Sequence, residues 1–311
     1  MSDTVLITGG CGFIGTWVVR EALRRSLNVV VLDSGPRPDR WRRVMGTAAD
    51  QVILESGSLL DRPRLQQVVD QHGVTQVVHL AALLTPSCQS DPWQGCEVNI
   101  LGTVAVLEAI RQCSGRVRGF SYASSVAVFG DEPDPTATWV NDARQPLTFY
   151  GAFKRSVEMI ASQYWRHFQV ASLGIRPQVA YGPERDVGLT AGPSLAARAV
   201  AMGEPFCIGY RGRVGYDFVE DVATAFIRGA CDTPRGAEVV DLSGPVVSVE
   251  EIVDVLKRLD PVAGSRVSVS GPEIPSHAPP HPRFISELFP DWKTTSLLEG
   301  MRQTVAFYRG I

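Results

Sequence analysis

A short apolar run that ends in a glycine-rich turn constrains this chain more than any other feature. Thr4-Val5-Leu6-Ile7 reads as a strand that runs into Thr8-Gly9-Gly10-Cys11-Gly12-Phe13-Ile14-Gly15, after which Val18, Val19 and Leu23 carry a helical pattern. Strand, glycine turn and helix in that order are the context of a dinucleotide fingerprint. Glycines let the backbone turn tightly and approach a pyrophosphate, and unpaired N–H groups at the helix N-terminus face its charge. Two registers fit, Gly10-x-Gly12-x-x-Gly15 and Gly9-x-x-Gly12-x-x-Gly15, and either would also suit a glycine turn with no ligand. The next strand, Asn28-Val29-Val30-Val31-Leu32, favours the ligand. It ends at Asp33, 18 residues beyond Gly15, close to where a carboxylate binds a ribose diol. That carboxylate repels a 2′-phosphate, so NAD is favoured over NADP, a preference that Arg37 close behind can soften.

The same rhythm continues. Val52-Ile53-Leu54, Val77 to Ala82, Gly119 to Ala123 and Val170 to Ile175 read as strands, with helical runs through Leu65, Val68 and Val69 and from Asn99 to Ile110. This alternation predicts an α/β fold with a parallel, doubly wound sheet and right-handed crossovers. Leu80, Ala81 and Ala82 end their strand with room for a ligand, whereas His79, flanked by apolar residues, reads as a hydrogen-bonded core histidine. Leu83 to Pro92 has no clear pattern and reads as a loop bordering a substrate site. Asp131 to Thr148 reads as a surface loop, and Gly271 to Pro282, with five prolines, as an irregular segment. His277 and His281 fall inside that segment, where no helical face could hold them as metal ligands.

Tyr150-Gly151-Ala152-Phe153-Lys154 opens a helix whose apolar face is Val157, Ile160, Ala161, Tyr164, Trp165 and Phe168. Residues four apart share a side, so the Tyr150 phenol and Lys154 ammonium lie one turn apart. A cation beside a phenol lowers a pKa normally near ~10, which makes Tyr150 a candidate general acid/base. Tyr-x-x-x-Lys alone fits a packed ring and a solvated amine equally well.

Composition sets limits. At 311 residues, 44% hydrophobic and 20% charged, the chain suits one large domain or two unequal ones. A net charge of −3 argues against nucleic acid as a partner, and the short basic patches Arg24-Arg25 and Arg40 to Arg43 read as solvated faces. Six scattered cysteines without metal spacing read as free thiols in a reducing compartment. No apolar stretch approaches bilayer length and no leader pattern opens the chain, so a cytoplasmic protein with no membrane partner is expected.

Taken together, Thr8-Gly9-x-x-Gly12-Phe13-Ile14-Gly15, Asp33, His79-Leu80-Ala81-Ala82, Asn99 with Gly102-Thr103, Ser124-Ser125 with Phe129-Gly130, Tyr150-x-x-x-Lys154, Arg176-Pro177 and Tyr181-Gly182-Pro183 resemble the extended short-chain dehydrogenase/reductase family, also described as NAD-dependent epimerase/dehydratases. The resemblance covers nearly the whole chain. It implies a Rossmann domain at 1–176 to which 215–243 returns, and a smaller substrate-binding domain from 177–214 and 244–311. It implies bound NAD and often a homodimer joined through a four-helix bundle that includes the Tyr150 helix. By resemblance, Ser125 would hydrogen-bond the reacting oxygen, Tyr150 would carry the hydroxyl proton, and Lys154 would bind the nicotinamide ribose. Gly9, Gly12, Phe13 and Ile14 would wrap the pyrophosphate and Asp33 the adenosine ribose, with Ser58, Leu59, Leu80, Ala81, Ala82 and Asn99 completing the cofactor contacts.

Departures from the pattern narrow the chemistry. Ser58 stands where many relatives carry an adenine-binding Asp. Val126 and Ala127 replace the Asp-Glu of the dehydratases, and neither can protonate a leaving hydroxyl, so dehydration is disfavoured. Val179 replaces an Asn that meets sugar diphosphates, and Gly215-Tyr216-Asp217 replaces a common Arg-Asp pair, which puts a UDP-sugar in doubt. Thr85, Gln178, Arg185 and Arg213 fall in loops expected to face the nicotinamide and are candidate contacts for a carbohydrate-like substrate. The expected activity is hydride transfer at a secondary alcohol of a sugar, first as an epimerase. The alternatives are a dehydrogenase of a small sugar acid or polyol, or a non-catalytic NAD-binding sensor.

Overall fold

The structure is a computed structural model that describes residues 3–113, 115–130, 146–232, 235–274 and 282–310. Most of the Asp131–Thr148 loop and the proline segment with His277 and His281 lie outside the described residues. The strands are β1 (Thr4–Thr8), β2 (Asn28–Asp33), β3 (Ile53–Ser56), β4 (Gln76–His79), β5 (Gly119–Ala123), β6 (Ser172–Arg176), β7 (Val179–Tyr181), β8 (Phe206–Ile208), β9 (Arg213–Phe218), β10 (Ala237–Asp241), β11 (Val246–Ser248) and β12 (Val267–Val269). Seven of them form one parallel sheet in the order β10-β6-β5-β4-β1-β2-β3. Successive side chains leave a strand on opposite faces, so Val5, Ile7, Val31, Val78 and Ile175 enter one core and Leu6, Val30, Val77 and Phe120 the other. A sheet buried on both faces needs apolar residues at every position, and β1 and β2 supply them.

The helices are α1 (Phe13–Arg24), α2 (Pro38–Met45), α3 (Arg62–Gln71), α4 (Thr85–Ser90), α5 (Pro92–Cys96), α6 (Gly102–Gln112), α7 (Phe149–Phe168), α8 (Gly192–Met202), α9 (Val219–Cys231), α10 (Val249–Leu259), α11 (Pro261–Gly264), α12 (Ile285–Leu288) and α13 (Leu297–Tyr308). α1 and α9 pack on the first face, while α3, α6 and α7 cover the second. The fold is thus Rossmann-like and doubly wound. The stretch expected to be a loop at Leu83 to Pro92 instead folds into α4 and the start of α5, each with a proline in its first turn. Asn99 lies in a π-helical turn, Glu97–Leu101, at the entry to α6.

A smaller unit follows β6. β7, β9 and β11 make a three-stranded sheet and β8 pairs with β12, backed by α8, α10 and α13. α9 and β10 return to the large sheet while β9 stays in the small one. Chain connections leave β1 and β4 toward opposite faces, which opens a crevice at their carboxyl ends. Among the described residues no helix is long and apolar enough to cross a membrane.

Close packing of α9 on the sheet depends on Gly119, where an added Cβ would lie 1.7 Å from the Ala230 carbonyl oxygen. Gly119→Ala is expected to destabilise the protein by about 3 kcal/mol, the upper end for overpacking, as a lower urea midpoint. An unchanged midpoint would mean that α9 does not rest against β5.

Candidate active site

The crevice is a cleft of about 1040 Å³ bounded by the glycine turn, the ends of β2, β4 and β5, the start of α7 and the loop after β7. Gly9 has φ +72°, and a Cβ there would come within 2.7 Å of the Ala81 amide nitrogen, so glycine is required. Gly12 caps α1, and a Cβ on it would meet Gly9 O at 3.3 Å and nothing else within 4 Å apart from its chain neighbours. The first turn of α1 holds no acidic residue. Its amides therefore face the cleft as a positive end with space before it, which fits a pyrophosphate. Asp33 is fixed at the rim, accepting from Cys11 N and Gly35 N at 2.9 Å each, with lone pairs left for a diol.

α2 holds this turn from behind. Arg40 Nη1 donates to Cys11 O at 3.2 Å and Trp41 Nε1 to Gly10 O at 2.9 Å. Arg40 is buried at 5% exposure, and Arg43 pairs with the buried Glu184. The expectation of a solvated basic face at Arg40 to Arg43 is therefore corrected for Arg40, whose partner carboxylates come from the loop after β7, far along the chain, while Arg42 and Arg43 are exposed as expected.

Opposite the glycine turn, Thr148 caps α7 by accepting from Gly151 N at 3.1 Å. A Cβ on Gly151 would lie 2.1 Å from Ala127 O, so only glycine lets α7 start this close to the turn after Ser125. That approach brings Tyr150 to Ser125, whose hydrogen bond pulls the phenol pKa down. Burial outweighs it and pushes the phenol up to about 12. Lys154 Nζ donates to Ala123 O at 2.6 Å and stands 5.6 Å from the centre of the Tyr150 ring. The expected lowering of the phenol by its neighbouring amine is thus not what the site shows. Burial also lowers Lys154 itself to about 8, opposed by charge at Cys88 and Glu158.

Of the residues singled out from the sequence, Gly9, Gly12, Phe13, Ile14, Asp33, Ser58, Leu59, Leu80, Ala81, Ala82, Thr85, Ser125, Tyr150, Lys154, Gln178 and Arg185 line this cleft. Asn99 and Arg213 do not. Asn99 is buried and holds the Leu83 backbone through reciprocal bonds of 2.7 and 2.9 Å, so it shapes the wall of the cleft. Arg213 is exposed at the start of β9, pairs with Glu251 at 2.6 Å and lies outside the cleft. His79 is buried between Thr8 Oγ1 (2.6 Å) and Thr103 Oγ1 (2.9 Å), and burial lowers its pKa to about 3.

Sequence reasoning missed Glu158. It accepts both Arg176 Nε and Nη2 at 2.7 Å and also the Ser124 hydroxyl, one turn beyond Lys154. Its position four residues after Lys154 on the same helix was the available signal.

The sequence profile of the NAD dependent epimerase/dehydratase family matches residues 5–238. The chain belongs to that family. Over 167 residues it is 33% identical to UDP-glucose 4-epimerase of Erwinia amylovora, covering 52% of this chain and 48% of the relative. D-erythronate dehydrogenase of Cupriavidus necator is 31% identical over 207 residues, 64% of this chain and 60% of the relative. The chain thus spans about half the length of the curated relatives it matches. The crystal structure of Thermus thermophilus UDP-glucose 4-epimerase in complex with NAD superposes with a TM-score of 0.77 at 25% identity, covering 99% of each chain. The chain is thus similar both to an epimerase and to a dehydrogenase.

Burial of Lys154 gives a pH signature. Below about pH 8 the folded protein carries a buried charge; between about 8 and the ordinary lysine value the folded state loses that proton before the unfolded state does. Wild type should therefore gain stability relative to Lys154→Met as pH rises from neutral to about 9.5, read by urea unfolding. Parallel stability curves for the two proteins would rule this burial out.

Proposed function

We propose that this member of the NAD dependent epimerase/dehydratase family uses NAD to move a hydride at a secondary alcohol of a sugar or sugar derivative, as a sugar epimerase. The observation that carries the reading is a single cleft lined at one side by the glycine turn and at the other by Ser125, Tyr150 and Lys154. The first-turn amides of α1 at Phe13 and Ile14 would hold the pyrophosphate, Asp33 the adenosine ribose and Lys154 the nicotinamide ribose. When bound, the nicotinamide supplies the hydride acceptor and donor.

The chain's own residues manage position and proton. Ser125 orients the alcohol oxygen. In the reductive direction Tyr150, protonated at neutral pH, gives its proton to the carbonyl oxygen as the carbinol forms, and in the oxidative direction the Tyr150 phenolate takes that proton back from the alcohol. Lys154, with a pKa of about 8, is still largely charged at neutral pH. Val126 and Ala127 offer no acid for a leaving hydroxyl, so dehydration is not supported.

A second reading, an NAD-dependent dehydrogenase of a small sugar acid or polyol, is favoured by a specific feature. Val179 and the buried Tyr216 stand where nucleotide-sugar enzymes of the resembled family place polar contacts, and the D-erythronate dehydrogenase relative is compatible with it. Purified protein that retains NADH absorbance and fluorescence supports the epimerase, and freely exchanging cofactor supports the dehydrogenase. We further propose a homodimer through α6 and α7, where Met159 of α7 is 64% and Leu101, in the turn entering α6, 53% exposed. A monomer by sedimentation would exclude it.

Tyr150→Phe is expected to leave NAD affinity nearly unchanged and lower turnover roughly 10²–10⁴-fold, measured by cofactor titration and steady-state kinetics. Unchanged turnover would remove Tyr150 as the acid/base. Ser125→Ala should raise the pKa that limits kcat/KM, because the bond that pulls the phenol down is lost.

A further inference from the structure

The loop after β7 carries three charges in succession, Glu184, Arg185 and Asp186, and their surroundings differ. Glu184, buried with φ +69°, accepts Arg43 Nε at 3.0 Å and Nη2 at 2.7 Å. Asp186 accepts Arg40 Nη2 at 2.7 Å. Both carboxylates are taken by α2, and among the described residues no ion pair reaches Arg185 between them. Its guanidinium is held by Nη2 donating to Thr190 Oγ1 at 2.7 Å and stands 5.8 Å from the centre of the Phe13 ring. The hydroxyls of Tyr210 and Tyr216, 3.2 Å apart, lie close enough to act on its charge. Arg185, Thr190 and Phe13 line the same cleft as Ser125 and Tyr150.

Arg185 is half-buried, and a charge partly withdrawn from water without a counter-charge is costly, so an arginine kept this way suits an incoming anion. Burial lowers its pKa to about 10, which leaves it charged at neutral pH. The planar fork of a guanidinium matches the two oxygens of one carboxylate. A diphosphate needs more donors, and Val179, Val214, Gly215 and Ile274, which also line the cleft, supply none from their side chains.

We infer that Arg185, oriented by Thr190, binds the carboxylate of a sugar acid whose reacting carbinol faces Tyr150. The inference rests on the proposed function and narrows its substrate class. The acidic neighbours Glu184 and Asp186 remain bound to α2, so they do not compete for the fork.

The test uses NAD-loaded wild type, Arg185→Gln and Arg185→Lys. Each is titrated calorimetrically with a panel of aldonates and uronates, the neutral sugars of the same carbon skeletons, UDP and inorganic phosphate. At least one acid should bind wild type and weaken at least about tenfold in Arg185→Gln, with partial recovery in Arg185→Lys. Neutral sugars and NAD should bind all three proteins alike. Equal binding of the acids to wild type and Arg185→Gln, no binding of any acid, or an Arg185-dependent response to UDP or phosphate alone would overturn the inference. Cofactor absorbance is followed in parallel. Arg185-dependent acid binding supports the site even where no acid or neutral sugar reduces the cofactor or is epimerised, a result that would count only against the hydride reading.

Discussion

The half of the structure that holds the candidate site depends on one part-buried ion pair. Glu158 on α7 receives the guanidinium of Arg176 at the end of β6 through two bonds of 2.7 Å, and Asp241 of β10 stands 3.6 Å from the same arginine. Glu158 also takes the Ser124 hydroxyl. The helix that presents Tyr150 and Lys154 is thereby tied to two strands of the sheet and to the turn that presents Ser125. A pair largely withdrawn from water adds little net stability over apolar packing, yet losing one partner leaves a charge short of partners, at a cost below the roughly 3–5 kcal/mol of a fully buried pair. Its main effect is to fix α7 in one register against the strand ends, which apolar contacts alone would specify less sharply.

The chemistry of the site follows from that burial more than from helical spacing. Tyr150 and Lys154 are four apart, as Tyr-x-x-x-Lys requires, but the amine is turned toward the Ala123 carbonyl and over the ring face. Dehydration of the pocket then acts on both groups in opposite senses, raising the phenol and lowering the ammonium. Both shifts favour the neutral forms. A carboxylate one turn away at Glu158 and the Ser125 hydroxyl each oppose this, which leaves a site whose protonation responds to whatever charge enters it.

Local features were legible in the sequence and distant ones were not. β1, the glycine turn and β2 lie within the first 33 residues, and their pattern and spacing announce the parallel sheet directly. Leu83 to Pro92 looked patternless because prolines and polar residues build two one-turn helices too short to show a period. Arg40 looked solvated because a basic run usually is; its partner Asp186 is 146 positions away, so no local reading could pair them. Arg213 stood in a plausible loop, but Glu251 of the α10 capping box claims it. Asn99 matched a family position, and the structure places its amide on the Leu83 backbone.

The same long-range pairing joins the two halves of the cleft. Arg40 Nη1 holds the carbonyl of Cys11 inside the glycine turn, while Nη2 holds Asp186, the residue after Arg185. Trp17 of α1 adds a bond to Pro183 O at 3.1 Å, and Tyr308 of α13 accepts from Glu184 N at 2.7 Å. A displacement of the glycine turn is therefore transmitted to the loop that carries Arg185 through a buried guanidinium. Such a group can yield only by breaking charge-assisted bonds away from water. The glycine turn and the loop that carries Arg185 thus share one rigid support, which sets the geometry between them.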